Sequence, residues 1–140
     1  MRKPAEFALH PVSFTAAQNA GLVRGHCTHV TDGDTIDVFL DLGFHNYAYE
    51  TLRISGIDAP EIYRPSNAAE REAGQRARLR VGALCLGRPV LIRSYRDHQT
   101  FGRFVADVYV HPTEASDSSL PGDWRDLASI LVEEQLVTPG

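Results

Sequence analysis

Apolar and polar residues alternate strictly in "TIDVFLDL" (35–42): Ile36, Val38, Leu40 and Leu42 fall on one side, Asp37, Phe39 and Asp41 on the other. That period of two predicts a half-buried strand. "LVRGHCTHVT" (22–31) and "YAYETLRISGI" (47–57) read as strands on either side of it. Asp32-Gly33 is a hairpin-turn pair and "GFHN" a second turn, so the three strands form an antiparallel meander. The period then changes. Asn67, followed three residues later by Glu70, predicts an N-cap with its capping-box partner. "AAEREAGQRARLRVGALCL" is rich in helix formers and Gly87 closes it, although Gly74 and Gly82 lower its helix propensity. "PVLIRSY" (89–95) and "RFVADVYV" (103–110) are two more strands, and 111–123 is a polar loop. Asp123 is expected to cap a final short helix with Trp124, Leu127, Ile130 and Leu131 on one side.

The predicted fold class is α+β dominated by β. It is a five-stranded OB-type barrel with a helix between strands 3 and 4 and a short C-terminal helix, β-β-β-α-β-β-α. Residues 1–20 show no clear period and form an unassigned N-terminal extension; 21–140 are the barrel domain. A length of 140 residues suits one compact domain. No apolar run approaches the ~20 residues of a membrane span, and the N-terminal stretch has no continuous apolar core of a signal peptide. The expectation is a cytoplasmic monomer with no membrane association, unless a signal lies outside this chain. Cys27 and Cys85, the only cysteines, are expected to be buried thiols.

The net charge of −4 is unevenly laid out. Residues 1–63 hold four basic and eight acidic residues, 64–103 nine Arg against Glu70, Glu72 and Asp97, and 104–140 only Arg125 against seven acids. A uniformly basic nucleic-acid binder is excluded; a locally basic surface beside an acidic one is not. The Arg run 71, 76, 78 and 80 reads as a solvated helix face paired with Glu70 and Glu72, with a secondary attraction for a nucleic-acid backbone. Cys27 and His29 would share a strand face that excludes His26, which argues against a zinc site.

On this frame the polar residues gather at strand ends. Asp34 starts the second strand, Arg53 lies on the third, Asp58 and Glu61 follow in "GIDAPE", and Arg103 opens the fifth in "FGR". Two carboxylates with backbone carbonyls make a hard-oxygen cation site. Two guanidinium forks match phosphate oxygens, and Glu61 could take a proton from water. Taken alone, Asp32-Gly33 is simply a turn, Arg53 a strand residue paired with Glu50 or Asp37, and Arg103 an exposed arginine. An EF-hand is excluded by the position of its glycine, and a phosphatase loop by the absence of βα alternation.

"VTDGDTIDV", "LRISGIDAPE" and "FGRFVADVYV" together resemble, in order, the three signatures of the staphylococcal nuclease (thermonuclease) family. The resemblance implies a metal-dependent nuclease acting on DNA and RNA with little sequence specificity. It implies Ca²⁺ as the cofactor, although the oxygen ligands alone would admit Mn²⁺ or Mg²⁺. It assigns Asp34, Asp58 and the Ala59 carbonyl to the metal, Asp32 to an acid beyond the direct ligands, Glu61 to the attacking water, and Arg53 and Arg103 to the scissile phosphate. Phe101 stands where the prototype has Tyr and Thr100 where it has Lys, so both are weaker substrate-binding positions here. The prototype's long lysine-rich loop is reduced to "IYRPSN". Two rivals remain: a catalytically inactive binding module of the same fold, and a Ca²⁺-stabilised structural domain.

Overall fold

A computed structural model describes residues 21–95, 103–111 and 124–140. Its strands are β1 (Val23–Asp32), β2 (Thr35–Asp41), β3 (Tyr47–Ile54), β4 (Ile57–Asp58), β5 (Pro89–Tyr95), β6 (Arg103–Val110), β7 (Arg125–Asp126) and β8 (Thr138–Pro139). Its helices are α1 (Ala68–Cys85) and α2 (Leu127–Glu133). The main sheet runs β3-β2-β1-β5-β6, extended by β7. A parallel pairing of β3 with β6 joins its ends into a closed five-strand barrel, the OB-type fold that the order of elements predicts. Closure leaves no edge among the five barrel strands. Among the described residues no helix is long and apolar enough to cross a membrane.

The alternation in β2 does what its period requires: Ile36 and Val38 are fully buried and Leu40 packs against the core from a half-buried position. They meet Leu52, Ile54, Val90, Ile92, Ala106 and Val108 inside the barrel. Burying each such aliphatic contributes about 1.5–3 kcal/mol. Leu42 departs from the expectation. The strand stops at Asp41 because Gly43, Phe44 and His45 all take positive φ in the turn, and Leu42 is left 51% exposed. On the outer face Phe39 stacks on Tyr47 with ring centroids 5.3 Å apart and lies 4.8 Å from Tyr49, a cross-strand aromatic cluster that supports the β2–β3 register.

The predicted third strand is two strands. Gly56, at φ 81°, turns the chain between β3 and β4, a conformation that favours glycine. The expected shared face of Cys27 and His29 is also lost. A register shift between those residues in the β1–β2 pairing leaves Cys27 buried and His29 exposed, as one extra residue in a strand inverts the alternation. Both cysteines are free and buried, and the Cys27 thiol donates to the His29 carbonyl at 3.6 Å.

α1 begins as expected, with the Asn67 side chain accepting the Glu70 N–H at 2.8 Å; Glu70 reaches back to the Ser66 N–H at 3.2 Å. Gly87, at φ 72°, follows its last turn. The helix buries the stripe Gly74, Ala77, Val81, Leu84 and Cys85. The arginine face is not paired as predicted. Arg80 bridges to Glu134 at 2.8 and 2.9 Å, and Arg78 donates to the Val30 carbonyl at 3.2 Å. α2 starts at Leu127 with Asp126, not Asp123, in the cap position, and Asp126 accepts the Ser129 hydroxyl at 2.7 Å. Asp123 lies outside the described residues. Leu127, Ile130 and Leu131 face the core as expected, whereas Trp124 precedes the helix.

Candidate active site

The turn between β1 and β2 fixes the first component. Asp32 pairs with Thr35, so Gly33 and Asp34 form a two-residue turn at one rim of the barrel. Thr35 in turn pairs with Arg53 near the end of β3, which brings Arg53 to the same rim. β6 lies parallel to β3 with Arg103 opposite Thr51, so the backbone of Arg103 enters the barrel two residues from Arg53; its side chain lies outside the description. After the Gly56 turn, β4 returns the chain to the rim. β4 is held there by pairing with β8 and by a 2.9 Å hydrogen bond from the Gly140 N–H to the Gly56 carbonyl.

The rim groups converge on one guanidinium. Arg53 Nη1 lies 2.9 Å from Asp34 Oδ2, though off the line of its N–H bonds. Arg53 Nη2 donates to Asp58 Oδ1 and, at 3.1 Å, to the Ile57 carbonyl. Asp34 also accepts the Ala59 N–H at 2.8 Å and the Thr35 hydroxyl at 3.0 Å, while its own N–H donates to Asp32 Oδ1 at 3.2 Å. Four of the predicted residues (Asp32, Asp34, Arg53 and Asp58) and the backbone of Ala59 are therefore brought together. Glu61 follows two residues later, is exposed, and has no hydrogen bond or ion pair among the described residues. Thr100 and Phe101 lie outside the described residues.

Proximity of the two turn carboxylates splits their acidities. Burial, together with the neighbouring Asp34, pushes the Asp32 carboxyl up to about 6. Burial also disfavours the charge on Asp34, but hydrogen bonds from Asp32 and the Ala59 N–H and the positive charge of Arg53 outweigh it and hold Asp34 below its ordinary value. Asp32 therefore takes up a proton at a higher pH than Asp34, which holds its charge further into acid.

Among the described residues no three His, Cys, Asp or Glu side chains converge as a set of metal ligands. The donor chemistry still suits a hard cation. Asp34 and Asp58 already neutralise one positive group between them, and the Asp58 side chain is 59% exposed.

Two glycines missed by helix and turn propensities make this convergence possible. A Cβ on Gly33 would stand 2.7 Å from the Ala77 Cβ and 3.0 Å from the Ala59 Cβ. One on Gly74 would stand 2.7 Å from both the Ile62 side chain and the Pro60 carbonyl. Both are contact points where α1 and the 58–62 segment close on the β1–β2 turn, so Gly74 serves packing and is more than a weak helix position. Gly33→Ala is expected to lower unfolding free energy by about 1–3 kcal/mol, the usual cost of overpacking, as read by denaturant titration. Thr35, buried beside Asp34, is a further supporting residue that the sequence marks only by its place in "DGDT".

A family model described as "Staphylococcal nuclease homologue" matches residues 51–138. The match takes in Arg53, Asp58, Ala59, Glu61, Thr100, Phe101 and Arg103 and begins after Asp32 and Asp34. A comparison with curated proteins gives no match. With more than half of the chain matched and the barrel closed as described, the chain belongs to the staphylococcal nuclease homologue family.

Proposed function

We propose that this member of a nuclease-like family is a metal-dependent nuclease that hydrolyses phosphodiester bonds of DNA and RNA with little sequence specificity. The observation that carries the reading is the Arg53 guanidinium held between Asp34 and Asp58 at the barrel rim, with Glu61 free two residues beyond Ala59. Asp34, Asp58 and the Ala59 carbonyl would hold the cation, Ca²⁺ first among the candidates and Mn²⁺ or Mg²⁺ also suited. Once bound, such an ion supplies positive charge to a phosphate oxygen. Glu61 accepts a proton from the attacking water. Arg53 offers its fork to the non-bridging phosphate oxygens, where charge grows as the water oxygen bonds to phosphorus and the bond to the 5′-oxygen breaks. Arg103 is assigned to the same phosphate. Asp32 supports Asp34 by accepting its backbone N–H. Among the described residues, no side chain at this rim is built to read base edges, which supports low sequence preference.

The test is incubation of the purified protein with single-stranded DNA, double-stranded DNA and RNA of unrelated sequences, each with Ca²⁺, Mn²⁺ or Mg²⁺. Cutting at many positions in these substrates is expected. Salt-sensitive binding with every substrate left intact would instead identify a binding module.

A further inference from the structure

A groove of about 360 Å³ opens beside the candidate site. Residues 58–60 form one wall, Glu70, Ala73 and Arg76 of α1 the second, and 135–138 the third. It is continuous with the site, because Asp58 and Ala59 belong to both. Its apolar surface comes from Pro60, Ala73 and Leu136, among others.

The charges of the groove are not equivalent. Asp58 is engaged by Arg53, and Glu70 accepts the Ser66 N–H at the start of α1. The neighbouring helix arginines are also spoken for, Arg78 by the Val30 carbonyl and Arg80 by Glu134. Arg71 and Arg76 have no side-chain hydrogen bond or ion pair among the described residues, and of these two only Arg76 lines the groove. A guanidinium without a partner beside an apolar wall, next to a site that engages a phosphate, matches a nucleotide: phosphate to the fork, base to the wall.

We propose that this groove holds the nucleotide adjoining the scissile phosphate, with Arg76 on its phosphate and Pro60, Ala73 and Leu136 beneath its base. The proposal rests on the nuclease reading for the identity of its neighbour. It makes Arg76 a positioning residue that sets substrate affinity and takes no part in bond breaking.

The experiment measures binding of a single-stranded oligodeoxynucleotide in EDTA across a salt series, and cleavage kinetics of the same strand with Ca²⁺. The proteins are the wild type, Arg76→Gln, Arg76→Lys and Ala73→Phe. Arg76→Gln should weaken binding about tenfold at low salt and flatten the dependence of log K on log salt by roughly 0.7, the share of one phosphate contact on a single strand. KM should rise with kcat unchanged, and Arg76→Lys should restore the salt slope. Ala73→Phe, which fills the groove without changing charge, should raise KM for the oligonucleotide. A thymidine phosphodiester carrying only a nitrophenyl group, with no adjoining nucleotide, should be indifferent to all three substitutions. Cleavage with KM and salt slope unchanged in Arg76→Gln would overturn the proposal and leave the nuclease reading standing. Arg76-dependent binding without cleavage would support the groove and remove the nuclease reading, and absence of both binding and cleavage would overturn both.

Discussion

Glu61→Gln is expected to lower the rate of phosphodiester cleavage by about 10²–10⁴, the usual cost of a missing general base. Glutamine keeps the size and polarity of the side chain and loses only its ability to take a proton from water. Glu61 is exposed and without a partner among the described residues, so the substitution has no contact to break. Its unfolding free energy should stay within about 0.5 kcal/mol of the wild type, as for other surface changes. Single-turnover cleavage and urea titration on the same preparations separate the two effects. A large rate loss accompanied by unfolding would point to structure, and an unchanged rate would remove Glu61 from the chemistry.

Arg53→Gln should cost about 10²–10³ in rate through the loss of a preorganised donor on the phosphate, and here stability should fall as well. The Arg53 side chain is 25% exposed and its guanidinium lies between Asp34 and Asp58, whose side chains are 14% and 59% exposed. Its removal leaves the more buried Asp34 carboxylate without its counter-charge. The cost should fall between the ~1 kcal/mol of an exposed pair and the ~3–5 kcal/mol of a buried one. A double-mutant cycle with Asp34→Asn checks this: the two losses should be less than additive, because each removes the same contact. Strictly additive losses would mean that the pair is not energetically coupled.

Much of the frame is legible in the sequence because it follows from local periodicity. β2 announces itself by alternation, α1 by the Asn67–Glu70 box and by Gly87, and the barrel by the order of its elements. The misreadings come from single residues whose effect is geometric. Gly56 divides one apolar run into β3 and β4, the shift after Cys27 turns His29 outward, and the left-handed turn at 43–45 ends β2 before Leu42. None of these changes composition or period enough to be seen in one chain.

The candidate site divides in the same way. Asp34, Arg53, Asp58 and Glu61 stand out by residue type and by their place at strand ends. That Arg53 pairs with Asp34 and Asp58, and not with Glu50 or Asp37, depends on the Gly56 turn and on the pinning of β4 by β8. Arg76 is set apart from Arg78 and Arg80 by where the Val30 carbonyl and Glu134 lie, 48 and 54 residues away in the chain, and from Arg71 by the position of the groove. Long-range placement of that kind is beyond any local pattern. Gly33 and Gly74 look like turn and helix defects until the segments they admit are in view.

We propose that this rim cuts nucleic acid with the help of a divalent cation. Its most direct test is the initial rate of cleavage of one end-labelled DNA strand by the wild-type protein in Ca²⁺, repeated in EDTA and after Ca²⁺ is restored. Cleavage that EDTA abolishes and added Ca²⁺ recovers is expected. An intact strand in Ca²⁺, and also in Mn²⁺ and Mg²⁺, from a protein that is folded and binds the same strand, would contradict it.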